Sequence, residues 1–235
     1  MIQLENFLYI PANSTQFKLS VDALIIPKGS KFFVIGPSGS GKTTLLKALS
    51  GLLSNCAGKL YIDGDLISTP NLSKRDVMYL SQELGLWPHL TCMEHISFVT
   101  TRGKSLRDDL AIHWLKRVGL GKKIDIRPNH LSGGEQKRLA LARVMAAEPK
   151  YLFLDEPFAN LDLVLAQELM TMIDQEQTTN KFSLIKVTHH GLGINNNGVT
   201  LLVVNQGRIV QQGSLQQIVE NPIDDWTAKW VKLVA

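Results

Sequence analysis

The stretch Gly36-Pro37-Ser38-Gly39-Ser40-Gly41-Lys42-Thr43-Thr44 constrains this chain more than any other. Before it stands Lys31-Phe32-Phe33-Val34-Ile35, a short apolar run rich in aromatic and β-branched residues, and after it Leu45-Leu46-Lys47-Ala48-Leu49 places apolar residues at helical spacing. Strand, glycine loop, helix is the context in which G-x-x-x-x-G-K-[ST] marks a nucleoside triphosphate site. The glycines let the backbone curl so that successive N–H groups point inward, and the helix start adds a partial positive charge of about half a unit. Lys42 then reaches the β- and γ-phosphates, and the Thr43 hydroxyl binds Mg²⁺. A flexible strand-to-helix turn would use the same residue types; the flanking strand and helix decide for the phosphate cradle.

The chain of 235 residues is long enough for one large α/β domain or a domain with a subdomain. An apolar content of 44%, a charged content of 20% and a mean hydropathy near zero read as soluble and globular. No apolar run approaches the ~18 residues of a membrane span. The segment from Met1 to Phe17 has no basic region followed by a long apolar core, so no secretion signal is expected and the protein is expected to stay in the cytoplasm. Cys56 and Cys92 lack metal-ligand spacing and read as free thiols. The net charge of +4 comes from scattered basic residues, the longest cluster being Gly121-Lys122-Lys123, so no nucleic-acid partner is expected.

Residues up to about Ser30 alternate in Ile2-Gln3-Leu4-Glu5-Asn6-Phe7 and again in Phe17 to Ile26, which predicts strands and hairpins. A further hairpin is expected with Asp63-Gly64 at its turn, and a strand from Asp76 ending at Gln82. From about Leu86 to Asn129 the pattern is helical, with Leu110, Trp114, Leu115 and Val118 on one face and Gly119 near the end. Apolar strands return in Lys150-Tyr151-Leu152-Phe153-Leu154, in Phe182 to Val187, and around Asn205 to Gly207. Open α/β sheets place ligands at the carboxyl ends of parallel strands, so Asp155, Glu156 and His189 are expected to converge on the glycine loop.

A Mg²⁺-nucleotide site needs a carboxylate near the metal and a group that orients the attacking water; Asp155 suits the first role and Glu156 the second. His189 is a candidate γ-phosphate donor that stabilises developing charge. The segment Leu131 to Pro149 reads as a helix entered at Ser132, with Glu135 three residues later completing a capping box. Two glycines in its first turn cost helix propensity, on the order of 1 kcal/mol each relative to Ala, so a cap alone does not explain Gly133 and Gly134. They would permit close approach of an anion to the helix N-terminus. One chain would then carry two phosphate-binding helix ends.

The motifs Gly36 to Thr44, Ser81-Gln82 to Thr91, Leu131-Ser132-Gly133-Gly134-Glu135, Leu152 to Pro157, Ala159-Asn160-Leu161-Asp162 and Val187-Thr188-His189 occur in the order and approximate spacing of the nucleotide-binding subunits of ABC transporters, which this chain resembles over nearly its whole length. The resemblance implies an α/β P-loop NTPase fold with a mainly parallel core sheet, an N-terminal antiparallel β subdomain and an inserted α-helical subdomain. Residues 1–235 then form one domain, with 1–85 and 130–235 as catalytic core and 86–129 as helical insert. Family members sandwich two ATP molecules in a head-to-tail homodimer, which accounts for the second helix end.

By matching position, the resemblance assigns the triphosphate to Gly36, Ser38, Gly39, Ser40, Gly41, Lys42, Thr43 and Thr44, and the Mg²⁺ environment to Thr43, Gln82 and Asp155. Glu156 becomes the general base and His189 the γ-phosphate switch. Ser132, Gly133 and Gly134 face the nucleotide of the second copy, and Asp162 signals across the dimer. The insert's groove takes a coupling helix from a transmembrane permease subunit, a solute-binding protein completes an importer, and the subunit sits on the cytoplasmic face of the inner membrane. For the aromatic that stacks on adenine, Tyr9 is the candidate, with Phe17 the alternative. Two departures stand out: a Gly- and Asn-rich stretch after His189 in place of a helix-forming one, and an end at Ala235 that predicts no C-terminal regulatory domain. The expected activity is Mg²⁺-dependent ATP hydrolysis driving solute import. The alternatives are a lipid, lipoprotein or drug exporter, a non-transport ABC ATPase, or a small-molecule kinase, the last leaving Leu131 to Glu135 and Ala159 to Asp162 unaccounted for.

Overall fold

Buried apolar residues alternate with half-exposed ones along β1 (Ile2–Tyr9) and β2 (Leu19–Ile26), which pair antiparallel with Ile2 opposite Ile26 and Tyr9 opposite Leu19. Strand β3 (Lys31–Ile35) leads through the glycine loop into α1 (Lys42–Ser50). Strands β4 (Ala57–Ile62) and β5 (Asp65–Leu66) form the hairpin expected at Asp63-Gly64, whose φ angles of 56° and 92° are the left-handed pair such a tight turn needs. Then follow β6 (Val77–Leu80), α2 (Cys92–Val99), α3 (Lys104–Arg117), α4 (Gly133–Ala146), β7 (Tyr151–Asp155), α5 (Leu163–Asn180), β8 (Ser183–Val187), β9 (Val199–Asn205), β10 (Arg208–Gly213), α6 (Leu215–Glu220) and α7 (Asp225–Val234). This computed structural model describes residues 1–12, 17–68, 76–100, 104–188, 191–194 and 198–234.

The described strands make one mixed sheet in the order β5-β4-β1-β2-β10-β9-β3-β8-β7-β6. From β9 to β6 every pairing is parallel, and β1, β2, β4 and β5 pair antiparallel. The two parts meet through a single parallel bridge, Arg208 opposite Ser20. Parallel alignment puts the carboxyl ends of β3, β6, β7 and β8 on one side, where the glycine loop, Gln82, Asp155 and Thr188 begin.

The central strands are buried on both faces, as parallel strands between helices are, and successive residues go to opposite cores. Phe33, Leu152, Leu154 and Leu184 pack with residues of α2, α3, α4 and α5; Phe32, Phe153, Ile185 and Val187 pack with α1 and the antiparallel strands. The helical pattern after Leu86 forms α2 and α3, with Trp114, Leu115 and Val118 buried as their spacing predicts. Gly119, at φ 73°, terminates the second of these helices. Thr91 with Glu94, Ser132 with Glu135, and Ser214 with Gln217 form complete capping boxes, so the expected cap at Ser132 is present.

One turn locks the two parts of the sheet to the glycine loop. Gly207 donates its N–H to the Ser40 carbonyl at 2.8 Å, and its own carbonyl accepts from the Ser20 N–H at 2.8 Å. Its φ is +71°, and a Cβ there would lie 1.8 Å from the Lys18 carbonyl oxygen. Gly207→Ala is therefore expected to cost roughly 2–3 kcal/mol, read as a lower urea midpoint at unchanged m-value.

Candidate active site

The loop is held open by backbone that only glycine adopts easily. Gly36, Gly39 and Gly41 have φ of 150°, 73° and 104°. A Cβ on Gly36 would lie 2.0 Å from the Val204 carbonyl oxygen, so the loop's entry packs directly on β9. Helix α1 has Gly41 at its N-cap with no side-chain cap, which leaves its first-turn N–H groups directed at the loop. The Lys42 side chain is buried and folds back, its Nζ donating to the carbonyls of Gly36 at 3.0 Å and Pro37 at 2.8 Å. Burial lowers its pKa, and the carboxylates of Glu156 and Asp155 oppose that shift. The buried Ser40 Oγ finds no hydrogen-bond partner among the described residues. A cavity of about 320 Å³ opens over Ser38, Gly39, Gly41, Lys42, Thr43 and Thr44, with Phe17 and Glu156 on its walls. Uncapped N–H groups, a buried ammonium on neutral carbonyls and an orphaned hydroxyl are the fittings of a polyanion site.

Asp155 ends β7 facing this loop. The Thr43 hydroxyl donates to its Oδ1 at 3.0 Å and the Tyr79 hydroxyl to its Oδ2 at 3.0 Å. Burial raises the Asp155 pKa, the Tyr79 and Thr43 hydrogen bonds pull it back down, and the Glu156 carboxylate adds to the rise. Burial, with the Asp155 charge and hydrogen bond, also pushes the Tyr79 phenol up. A hydroxyl and a carboxylate side by side are the hard oxygen donors that Mg²⁺ takes alongside phosphate oxygens. Glu156 sits at φ +50°, a left-handed conformation disfavoured for a residue with a Cβ, and the strain is local to the turn that leaves β7.

Gln82 lies just past β6 on an exposed turn, outside the walls of the loop cavity. Its segment is tethered to the helices: Arg143 of α4 donates from Nη1 to the Gly85 carbonyl at 2.6 Å and from Nη2 to the Leu84 carbonyl at 2.7 Å. His95 of α2 accepts the Trp87 N–H at Nε2, 2.9 Å away, while its Nδ1 donates to the Thr91 carbonyl at 2.7 Å. Ser132 and Gly133 are exposed at the start of α4 and do not line their own chain's loop cavity. His189 lies outside the described residues. Asp162 is the N-cap of α5, accepting from the Leu165 N–H at 2.8 Å.

Of the two aromatics considered for the adenine, the structure places one beside the loop. Phe17, not Tyr9, stands against the loop: a Cβ on Gly41 would meet the Phe17 ring at 3.0 Å, whereas Tyr9 is absent from the cavity walls. The reason is the Gly207 turn, which draws the start of β2 onto the loop while Tyr9 lies at the end of β1 opposite Leu19. Sequence reasoning also missed Tyr79 and Lys137. The first is visible only once β6 is known to pair with β7, Tyr79 opposite Phe153 and thus on the face of Asp155. Lys137 of α4 donates from Nζ to the Ala159 carbonyl, and the Glu156 charge opposes the burial-driven fall of its pKa.

Because the Asp155 pKa is raised by folding, the folded chain holds its proton more tightly than the unfolded one, and stability is lost as the pH rises through the folded pKa. That cost grows as the pH climbs from the unfolded pKa through the folded one. Asp155→Asn is expected to raise the Tm of nucleotide-free protein at pH 7, by about 2–4 °C for each kcal/mol recovered.

Comparison with known proteins agrees with this geometry. The family model described as ABC transporter matches residues 19–159. The chain is 32% identical over 219 residues to the molybdate/tungstate import ATP-binding protein WtpC of Pyrococcus abyssi, covering 92% of this chain and 64% of that protein. It is 35% identical over 214 residues to the choline transport ATP-binding protein OpuBA of Bacillus subtilis, covering 88% and 56%. It is 32% identical over 234 residues to the spermidine/putrescine import ATP-binding protein PotA of Borreliella afzelii, covering 98% and 67%. The chain thus spans just under two thirds of the first of these relatives and little more than half of the second. Its fold matches the ATP-binding cassette MJ0796, solved as a dimer in a post-hydrolysis state bound to ADP and Pi, with a TM-score of 0.79 at 24% identity over 91% of this chain and 98% of that one. With a P-loop opposite Asp155, a capped Ser132-Gly133-Gly134 helix start and these relatives, the chain belongs to the ABC transporter family of ATP-binding cassettes.

Proposed function

We propose that this chain is the ATP-hydrolysing subunit of a membrane transporter for solute import, and the observation that carries the reading is the Gly36 to Thr44 cradle opposite Asp155 and Glu156. The triphosphate lies along the loop N–H groups and the α1 N-terminus, and the Lys42 ammonium exchanges the Gly36 and Pro37 carbonyls for phosphate oxygens. Phe17 offers its ring to the adenine side of the cavity. Thr43, Asp155 and Gln82 would hold Mg²⁺, whose charge would offset that of the phosphates. Glu156, on the cavity wall, orients the attacking water and takes its proton, and His189 contacts the γ-phosphate.

The site is incomplete in one copy. The start of α4, with Ser132 and Gly133 exposed and Gly134 half-buried, meets the γ-phosphate held by a second copy in a head-to-tail dimer. Support comes from Leu163 and Val164, apolar residues 75% and 70% exposed beside the Ala159 to Asp162 turn, which a dimer would cover. Residues 86–129 are the insert that receives a permease subunit. There Phe98, 71% exposed, packs edge-on against Trp87, and Arg143 stacks over Trp87 while holding the Gln82 segment. Permease movement and the nucleotide site are thereby joined through one guanidinium. Among the described residues no helix is long and apolar enough to cross a membrane, which fits a peripheral subunit on the cytoplasmic face. Relatives of 32% and 35% identity are named for molybdate/tungstate and choline, so the cargo is assigned to the permease and to a solute-binding protein.

Glu156→Gln is expected to keep ATP binding while losing on the order of 100-fold or more of turnover and accumulating an ATP-bound dimer by gel filtration. Turnover at the wild-type rate would remove Glu156 from the base role. Lys42→Ala is expected to abolish hydrolysis through weaker triphosphate binding and lost charge stabilisation, measured by nucleotide titration and phosphate release. For the transport reading, tagged protein purified from detergent-solubilised membranes of its host is expected to bring multi-span permease subunits; ribosomes or DNA instead would move it to the non-transport class.

A further inference from the structure

Strand β8 is buried along its whole length, and its even-numbered residues face the side of the sheet packed by α5. On that face Leu184 is followed by Lys186, a lysine with no solvent exposure where the alternation calls for an apolar side chain. Its ammonium lies 4.1 Å from the centre of the Phe33 ring and 5.6 Å from that of Phe158. It donates to the Leu192 carbonyl at 2.7 Å and touches the Met170 thioether at 3.5 Å. Burial drives its pKa down to about 7, with Asp174 opposing. That carboxylate is itself paired with Lys31 at 2.8 Å. Burying such a group costs stability that an apolar residue of the same length would not.

The contacts join two segments that flank the hydrolysis site. Phe158 stands two residues beyond Glu156, in the turn that starts at the strained φ of +50°. Leu192 lies in the segment that follows Thr188 and the switch position 189. Its carbonyl is presented by backbone shaped for the purpose: Gly193 has φ +76°, and a Cβ there would meet Met170 at 3.0 Å, the residue that also touches Lys186. We propose that Lys186 is a positioning residue for ATP hydrolysis, its ammonium clamping the Leu192 carbonyl and the Phe158 ring so that residues 191–194 hold their place against the turn carrying Glu156. This rests on Glu156 acting as the base, and nothing in the assigned P-loop or Ser132 motif calls for a lysine here.

Lys186→Met keeps an unbranched side chain, one atom shorter, and removes both charge and donor. Its expected signature is a kcat lower by about 5- to 20-fold with KM for ATP within about twofold of wild type, since misplacement of the base slows the step without touching the cradle. The same variant is expected to melt a few degrees higher, because a desolvated cation is gone. Lys186→Gln restores a neutral N–H donor and is expected to recover part of the lost kcat. A wild-type kcat in the Met variant overturns the proposal, as does a lower Tm or a failure to fold, since the lysine would then serve the fold alone. Equal loss in the Met and Gln variants overturns the clamp as well. Glu156→Gln run in parallel separates the two ideas: if it turns over normally, the base assignment has failed, whatever Lys186 does.

Discussion

The loop between β3 and α1 has no room to be anything else. A carbonyl oxygen of β9 occupies the space a Cβ on Gly36 would need, and the Gly207 turn of the β9–β10 hairpin donates a hydrogen bond to Ser40 from behind. The loop is therefore shaped by the neighbouring strands before any phosphate arrives. Its curl sets the direction of the α1 N–H groups and brings the Lys42 ammonium back over the loop carbonyls. Preorganisation of this kind means that binding need not spend free energy on ordering the backbone.

Around that cradle the fold accepts several unfavourable terms. Asp155 is desolvated beside a second carboxylate, Glu156 is held at positive φ, Ser40 Oγ is orphaned, and Lys42 and Lys186 bury their ammonium groups. Each stands at or next to the carboxyl end of a parallel strand or on the segment leading from it. Their costs are offset by two cores that fill both faces of the sheet almost wholly with aliphatic and aromatic side chains. Stability is supplied by the sheet's interior and drawn down at its rim, where an anion and a metal would reverse the sign of most of these terms.

The start of α4 is held by local contacts that do not involve its glycines. The Ser132–Glu135 capping box satisfies the helix backbone, and Lys123 pairs with Glu135 at 2.6 Å to orient it. Neither needs Gly133, which is exposed, or Gly134, which is half-buried, and neither glycine lines the chain's own loop cavity. Lys137, one turn further on, ties the same helix to the Ala159 carbonyl. Movement of this helix would be felt at Glu156 through the turn that joins them.

Local pattern alone determined much of this protein. Glycine spacing between a β-branched strand and a helical repeat specified the loop, a Ser/Glu pair three residues apart specified the α4 cap, and Asp-Gly specified the β4–β5 turn, because each depends on backbone geometry within a few residues. Only the tertiary structure decided that Phe17 rather than Tyr9 faces the loop, that Tyr79 supports Asp155, that Arg143 holds the segment after Gln82, and that Lys186 sits among aromatic rings. Those outcomes depend on which strand lies beside which and on contacts between residues far apart in the chain, as with Tyr79 and Asp155 or Gly85 and Arg143. Periodicity tells which way a side chain points within its own element, and strand order decides what it meets there.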